Sequence, residues 1–325
     1  MENKKKYYIE RTDLDNKWDK FIYASPDSSK FLLSEYIELL NINVHAYFCY
    51  KSQEIMGAIL CVPSEDEKSI VGNNFIIYDG LVYRDLSYLN RSQQYSEKYS
   101  IQECVADELS KIYSSIQLTL HPSILDIRPF LWFNYHNDEK KFVPDIRYTS
   151  FIDLKEFSKD IDYESLSLYK NASVARRQEI RYAIKKGIKF SEFKNVEKFI
   201  EFYLLTMNRQ GIEPDANHLY TMKNLLNGLL KNDSIIMSQS SDINNKIGSM
   251  AIFLTYKNMA YYLFGANDPE MRDQHTGTSV IWNSFRMLAK KNIEYLDLEG
   301  INSPKRGWFK LSFGGNVQPY NRIRL

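Results

Sequence analysis

One segment near the C-terminus restricts the fold more than any other, because an apolar strand pattern there runs through a Gly-containing loop into a helix pattern. The strand covers 259–266, the loop contains Gly277, and the helix pattern continues to 290. A strand that leads directly into a helix is typical of α/β and α+β layered folds. We therefore predict a sheet covered by helices in this part of the chain.

Strands and helices alternate along the whole chain, in two successive sets of similar order. In the first set, helices are predicted at 13–23, 34–40 and 92–113, and strands at 45–50, 55–62, 75–78, 116–120 and 149–154. In the second set, helices are predicted at 171–186, 195–210, 216–231, 277–290 and 304–311, and strands at 188–193, 234–240, 246–255, 259–266 and 293–298. A length of 325 residues suffices for two domains. We predict an α/β (α+β) fold with domains at 1–155 and 156–325.

The composition is that of a soluble globular protein, with 44% hydrophobic and 26% charged residues. The net charge of +1 gives no general attraction to DNA or to membranes, so an anionic partner would need a local basic patch. The three cysteines and five histidines lack metal-ligand spacing, which predicts no metal site and no disulfide framework. Apolar runs are shorter than the roughly 18 residues of a membrane span, and the start lacks a signal-peptide pattern. We therefore expect a cytoplasmic protein, of open oligomeric state.

The loop before the predicted helix at 277–290 has the features of an anion site. Gln274-His-Thr-Gly-Thr-Ser places several backbone N–H groups at the positive end of the helix dipole. Gly277 would allow an anion to approach the backbone closely, and Thr276 or Thr278 could serve as the N-cap. The alternative interpretation is an ordinary capped turn in front of a core helix.

Motifs around this loop resemble those of GNAT acyltransferases. Gln274-x-x-Gly277-x-Ser279 resembles the Q/R-x-x-G-x-G/A loop with which that superfamily holds the pyrophosphate of acyl-CoA, although Ser279 replaces the usual Gly or Ala. Asn302, followed by Trp-Phe-Lys-Leu-Ser-Phe-Gly-Gly at 308–315, resembles the family's Asn and its Y-x-K-x-G-F ending. The resemblance implies that the C-terminal half binds the donor.

Two further stretches are similar to the FemAB-like branch of GNAT proteins, which carries two GNAT halves in one chain. One is Asp297-Leu-Glu-Gly with Phe309-Lys-x-x-Phe-Gly-Gly-x-x-Gln-Pro-Tyr320, and the other is the basic stretch from Ser173 to Gly187. The first half of the chain resembles the branch in element order alone. The resemblance implies two tandem GNAT-like domains, each with a mixed, largely antiparallel sheet flanked by helices. It places the acceptor side in 1–155 and donor binding in 156–325.

The resemblance also implies a set of site residues. Glu299 is the first candidate to orient or deprotonate an acceptor amine, with Asp297 on the same face of the predicted strand and Tyr262 as a candidate general acid. The candidate donor-binding residues are Gln274, Thr276, Gly277, Thr278, Ser279, Gly265, Ala266 and Asn302. The candidate substrate-binding residues are Arg177, Arg181, Lys310, Tyr78 and Asp79. A structural salt bridge with Lys305, Arg306 or an arginine of the basic helix is the alternative for the acidic pair, and core packing is the alternative for Tyr262.

The assignment of Gly265 and Ala266 depends on the position of their backbone, and that of Arg177 and Arg181 depends on their charge. Gly265 and Ala266 lie where a central strand would offer a backbone N–H to an oxyanion. Arg177 and Arg181 lie four residues apart on one helix face, where like charges repel unless an anion is present. That anion would be a carboxylate elsewhere in the fold, or a phosphate of substrate or tRNA. The alternative is a solvated face balanced by Glu179 and other acids.

The function implied by the resemblance is N-acyl transfer, in which an amine attacks the acyl group of acyl-CoA, or of an acyl carrier protein, in a ternary complex. The acceptor is expected to be a small-molecule amine such as an amino sugar, nucleotide-linked or otherwise a cell-envelope precursor. The first alternative is a FemAB-type aminoacyl transferase, which takes its donor from aminoacyl-tRNA and acts on peptidoglycan precursors. The second is a non-catalytic GNAT-like binding module.

Overall fold

The computed structural model describes residues 6–159 and 161–325, which form two compact units. The N-terminal unit comprises the residues up to 147 together with 319–325, and the C-terminal unit comprises 148–318. The predicted boundary at 155 differs from this division for a structural reason. Residues 151–153 pair with a strand of the C-terminal unit, and the last residues of the chain pair within the N-terminal unit.

The N-terminal unit has two groups of strands and four α-helices among its described residues. Its strands are β1 (Tyr7–Thr12), β2 (His45–Lys51), β3 (Glu54–Cys61), β4 (Ser69–Ile70), β5 (Gly80–Tyr83), β6 (Ser115–Thr119) and the start of β7 (Val143–Asp153). Its helices are α1 (Asn16–Ala24), α2 (Ser34–Leu40), α3 (Arg91–Ile112) and α4 (Arg128–Leu131). Strands β1, β2, β3 and β5 form an antiparallel sheet in that order. The buried side of α3, with Ile101, Val105 and Leu109, packs in the core of this unit.

The C-terminal unit is a mixed sheet with helices on both faces. It contains the rest of β7 with β8 (Lys189–Glu192), β9 (Ile235–Ser241), β10 (Ile247–Tyr256), β11 (Met259–Asn267) and β12 (Tyr295–Asp297), in the order β7-β12-β11-β10-β9-β8. Its helices are α5 (Ser167–Asn171), α6 (Val174–Lys185), α7 (Val196–Arg209), α8 (Ala216–Lys231), α9 (Thr276–Lys290) and α10 (Pro304–Leu311). Strand β13 (Asn316–Arg324) begins in this unit and ends in the N-terminal unit. The predicted α/β fold, with largely antiparallel sheets flanked by helices, is confirmed.

Most predicted elements lie within two residues of the observed ones, but two predictions are wrong. Residues 75–78 form turns instead of a strand, because the Asn73 side chain and carbonyl accept hydrogen bonds from the N–H groups of Phe75 and Ile76 at 2.8 and 3.1 Å. The predicted helix at 171–186 is divided into α5 and α6. Ala172 is extended, and the Ser173 hydroxyl caps α6 by accepting the Arg176 N–H at 3.2 Å.

The parallel pair β11 and β12 separates after three residue pairs, and this separation positions the site. The pairing runs from Met259 and Tyr295 to Tyr261 and Asp297. Strand β11 then continues to Asn267, whereas the chain beyond Asp297 follows β7, with the Leu298 N–H donating to the Ser150 carbonyl at 2.9 Å. A bulge at residue 263 interrupts the register of β11 against β10 in the same region. We call the gap between 262–267 and 298–301 the split.

Candidate active site

Glu299 lies at the split with a buried carboxyl group. Its side chain is 6% exposed, and Oε1 has no hydrogen-bond partner among the described residues. Burial, followed by the negative charge of Asp297, raises the pKa of Glu299 well above the usual range of a glutamate, and Lys310 opposes the rise. An acid whose pKa is shifted upward is a stronger base once ionised, which suits proton abstraction near neutral pH.

Asp297 holds the backbone of Glu299. Its fully buried carboxylate accepts the Thr149 hydroxyl and, at 2.7 Å, the Glu299 N–H through the same oxygen, Oδ1. The prediction that strand alternation brings the two acids to one face is wrong, because β12 ends at Asp297 and Glu299 has a left-handed φ of 54°. A turn held by Asp297 brings them together instead. Asp297 is therefore a positioning residue in this geometry.

Lys310 supplies the positive charge of the site from α10. Its Nζ lies 3.4 Å from the carbonyl oxygens of Glu299 and Gly300, and 5.2 Å from the centre of the Tyr262 ring. Burial lowers the pKa of Lys310, while Glu299 and Asp297 oppose the change. Lys310 is thus the charge that opposes the rise in the pKa of Glu299.

Tyr262 lies along β11 with its hydroxyl over Gly265. A Cβ atom on residue 265 would lie 1.9 Å from the Tyr262 hydroxyl, so no side chain other than glycine's fits there without displacement. Burial, followed by the charge of Glu299, raises the pKa of Tyr262. The ring also stacks on Phe253 at 5.4 Å. The ring of Tyr262 therefore packs in the core, whereas its hydroxyl lies at the split.

The backbone of β11 at Gly265 and Ala266 borders the split. Both residues pair with β10 on one edge, and β12 has already ended on the other. Successive N–H groups of a strand point to opposite edges, so one of these two points into the split. This is the arrangement that an oxyanion site requires.

The N-terminus of α9 differs from the prediction that Thr276 or Thr278 caps it. His275 occupies the cap position with a left-handed φ of 60° and no side-chain cap bond, and both threonines are buried in the first turn. Gly277 is half-buried, and a Cβ there would lie 3.1 Å from the Asn267 side chain. Gln274 is half-buried at the end of a 3₁₀ turn (Pro269–Gln274).

Ser279 does not face the same side of α9 as Gly277. Two residues along a helix differ by about 200° in direction. Ser279 lines a cavity of about 310 Å³ together with Ile180, Trp282 and Asn283, at the contact of α6 with α9.

A carboxylate from α6 lies at the N-terminus of α9. Glu179 Oε2 accepts the Thr278 hydroxyl at 2.5 Å and an Arg176 N–H at 2.5 Å. A negative charge at this helix end is favourable. The carboxylate thus makes part of the interaction that a bound phosphate would make there.

Arg176, which was not predicted as a site residue, links three helices. Its guanidinium contacts the Thr278 hydroxyl, donates to Ser312 Oγ at 2.8 Å, and lies 4.5 and 4.6 Å from the ring centres of Phe309 and Phe313. Burial lowers the pKa of Arg176, and Glu179 opposes the change. The signal was present in the sequence, since Arg176 lies four and seven residues before the buried Ile180 and Ala183 on the inner face of α6.

The predicted substrate arginines lie on the outer part of α6. Arg177 is half-buried and Arg181 is exposed, with its Nη1 donating to the Tyr169 hydroxyl at 3.1 Å. Asn302, predicted to bind the donor, has both side-chain polar atoms on the backbone of Tyr148, at 2.7 and 3.1 Å. It therefore fastens the chain after β12 to β7.

Tyr78 and Asp79 are core residues of the N-terminal unit. Tyr78 is buried and packs edge-on against His121 and Tyr320. Asp79 accepts the Thr119 N–H at 2.5 Å, and burial raises its pKa to about 7. Both residues are thus held by internal contacts, and their role in contacting substrate stays a prediction.

Two general findings apply to the described residues. They include no group of three or more His, Cys, Asp or Glu side chains arranged to hold a metal ion. None of the helices in this part of the chain is long and apolar enough to cross a membrane.

Comparison of the sequence with family models gives one match. Residues 174–309 match the family described as "Acetyltransferase (GNAT) domain". This segment is similar in sequence to GNAT acetyltransferase domains and covers less than half of the chain. It contains the split, α9, Asp297 and Glu299, whereas Thr149 and Lys310 lie outside it. No curated protein sequence is significantly similar to the chain.

Solved structures show that the whole chain has the tandem GNAT fold. FemX is 12% identical, with a TM-score of 0.63 over 96% of each chain. The C-terminal domain of a putative lysylphosphatidylglycerol synthetase from Agrobacterium fabrum is 10% identical, with a TM-score of 0.56 over 95% of this chain and 90% of that one. A tandem GNAT protein from the clavulanic acid biosynthesis pathway is 8% identical, with a TM-score of 0.50 over 98% and 97%. The predicted fold of two tandem GNAT-like domains is confirmed.

Proposed function

We propose that this chain is an N-acyltransferase in which an amine attacks an activated acyl group at the split of the C-terminal unit. The observation that carries the proposal is the carboxyl group of Glu299, which is buried, has an unpartnered Oε1, and lies where β11 and β12 separate. An unpaired buried carboxyl group is costly and needs a partner from outside the fold. An amine N–H supplies one.

The proposed reaction uses the residues around the split in separate roles. The amine nitrogen forms a bond to the acyl carbon and gives up a proton to Glu299, while the bond from that carbon to sulfur or oxygen of the donor breaks. A backbone N–H at Gly265 or Ala266 binds the developing oxyanion. The Tyr262 hydroxyl gives a proton to the leaving group, and Lys310 stabilises the ionised Glu299.

The test compares two glutamates of the same region. Glu299→Gln is expected to lower kcat for acyl transfer by about 10²–10⁴ with little change in donor binding. The matched control is Glu294→Gln, since Glu294 is about half-exposed. Equal activity of both variants and the unaltered protein would refute a catalytic role for Glu299. The absence of activity in all three would favour the non-catalytic binding module.

For the donor we propose acyl-CoA, with its pyrophosphate at Gly277 and the first turn of α9. At about 100 times the dissociation constant, a ligand adds roughly 2–3 kcal/mol to the free energy of unfolding. Thermal unfolding with CoA, acetyl-CoA and a longer acyl-CoA should show this stabilisation, and Gly277→Glu should abolish it. No stabilisation by any of the three would exclude CoA as the donor.

The Glu179 carboxylate favours a second donor, an aminoacyl-tRNA, because it occupies the helix end that would receive a pyrophosphate. Binding of a charged tRNA should weaken steeply with salt, since phosphate contacts release counterions. The variant Glu179→Gln distinguishes acyl-CoA from aminoacyl-tRNA as the donor. If CoA is the donor the variant should bind it several-fold more tightly, and with a tRNA donor CoA should bind to neither protein.

For the acceptor we propose a small-molecule amine of the cell envelope, such as an amino sugar, either free or nucleotide-linked. The support is the analogy with FemX and the lysylphosphatidylglycerol synthetase domain, whose folds are similar. A panel of amines assayed with the donor that binds will identify the class.

A further inference from the structure

Three arginines of the N-terminal unit converge on one carboxylate oxygen. Asp145 Oδ2 lies 3.8 Å from Arg147 Nη1, 3.8 Å from Arg322 Nη1 and 3.4 Å from Arg324 Nη2. Asp145 and Arg147 lie two residues apart on β7, and Arg322 and Arg324 lie two apart on the neighbouring β13. Residues two apart on a strand share a face. We call these four residues the arginine cluster.

The cluster has more positive charge and more donors than its one aspartate can satisfy. Three guanidinium groups and one carboxylate leave a net charge of +2, since arginine stays protonated in proteins. All three distances exceed the 2.7–3.2 Å of good N–H···O hydrogen bonds. The Nε atoms of Arg147 and Arg322 are buried without a hydrogen-bond partner among the described residues.

Neighbouring groups do not remove the surplus. Arg324 Nε donates to the neutral side chain of Gln117 on β6 at 3.2 Å. The buried Asp79 accepts the Thr119 N–H, and the charge of Arg322 opposes the rise of its pKa. An ionised Asp79 would therefore offset one of the two surplus charges and leave one. Holding three like charges together is unfavourable unless an anion joins them.

We propose that the arginine cluster binds the phosphate group of a small-molecule phosphate ester, with a diphosphate as the preferred form. Planar guanidinium groups match phosphate oxygens in pairs, and charge-assisted bonds of this kind are among the strongest in proteins. Their convergence on a single point fits one or two phosphate groups. An RNA backbone needs cations spaced along several phosphates. None of the four residues has a role in the proposed acyl transfer, and the inference does not rest on that function.

The first experiment measures binding of inorganic pyrophosphate and of ADP to the full chain by calorimetry. Arg147→Gln and Arg324→Gln should each weaken binding by about tenfold or more, since a hydrogen bond to a charged group contributes about 1.5–3 kcal/mol. The matched control is Arg84→Gln, because Arg84 is an exposed arginine with a one-to-one ion pair to Glu54 at 3.2 Å. All proteins also carry Gly277→Glu, which removes any binding at α9. Equal affinities in the cluster and control variants would overturn the proposal.

The second experiment uses a variant that should strengthen pyrophosphate binding instead of weakening it. Asp145→Asn removes the internal anion, so pyrophosphate should bind several-fold more tightly and should raise the melting temperature more than in the parent protein. A purely structural cluster would lose stability in this variant with no gain in pyrophosphate affinity, and that result would overturn the proposal. A short single-stranded RNA that binds the cluster more tightly than ADP, with a steep salt dependence, would overturn the small-molecule assignment.

Discussion

At the residue scale, Glu299 combines three unfavourable features that a purely structural residue would not need. It is a carboxyl group with an unpartnered oxygen, it is nearly fully buried, and it has a left-handed backbone conformation. Strained and desolvated residues of this kind are concentrated at functional sites. Asp297 and Thr149 maintain the turn, and the site depends on them without their touching substrate.

The raised pKa of Glu299 predicts a pH dependence of stability. The folded protein keeps a proton on Glu299 at pH values where the unfolded chain has lost it, so the folded state binds more protons. The free energy of unfolding therefore falls as pH rises from about 4.3, the ordinary glutamate value, through the raised value of the folded state. Glu299→Gln should lack this fall.

Urea unfolding of both proteins over this pH range tests the prediction. The stability of Glu299→Gln relative to the parent should increase with pH, and Glu294→Gln should run parallel to the parent. Parallel curves for Glu299→Gln would mean that Glu299 titrates normally in the fold.

At the element scale, the Tyr262 hydroxyl lies so close to Gly265 in β11 that there is no room for a side chain at position 265. Gly265→Ala places a methyl group on the Tyr262 hydroxyl and forces the ring out of position. We expect acyl transfer to fall by about tenfold or more, because small displacements of a catalytic group are costly. Overpacking should also lower the free energy of unfolding by about 1–3 kcal/mol.

A double-mutant cycle with Tyr262→Phe tests whether the loss comes from a clash with the Tyr262 hydroxyl. The phenylalanine lacks the hydroxyl, so part of the stability lost in Gly265→Ala should return in the double variant. Additive losses would show that the methyl group clashes elsewhere.

Helices α6, α9 and α10 are joined through the guanidinium of Arg176, and its removal should be costly. Arg176→Met keeps an unbranched side chain between Phe309 and Phe313 but leaves Glu179 without its cation. We expect a loss of roughly 2–4 kcal/mol in the free energy of unfolding, below the largest values for buried pairs because Glu179 is partly exposed.

Adding Glu179→Gln to Arg176→Met should restore part of that stability, since no charge is then left unpaired. Arg177→Met serves as the control on the same helix and should change stability little. Equal losses in the two arginine variants would contradict the link through Arg176.

At the scale of the whole molecule, the last seven residues belong to the unit formed by the start of the chain. Tyr320 and Ile323 are buried, and Ile323 pairs with Leu118 in β6. Truncation after Gln318 should destabilise the N-terminal unit by about 3–6 kcal/mol, from two buried apolar side chains at about 1.5–3 kcal/mol each.

Hydrogen exchange shows which strands lose stability in the truncated chain. Amides of β6 should lose protection in the truncated chain, and amides of β10 and β11 should keep theirs. Loss of protection in β10 and β11 as well would show that the two units unfold together.

The sequence by itself determined most elements, because periodicity and turn residues act locally. Helices α2, α8 and α10 agree with their predicted ranges, and Gly187 ends α6 with a φ of 68°. The motifs also indicated the GNAT resemblance and singled out Glu299 and Asp297 as candidates, since each motif is contiguous in the chain.

The tertiary structure decided what these residues contact. Glu179 reaches the N-terminus of α9 across 99 residues, and Thr149 reaches Asp297 across 148. The arginine cluster forms because β7 and β13 are neighbours. No local sequence pattern encodes such pairs, because they depend on which strands and helices become adjacent in the folded chain.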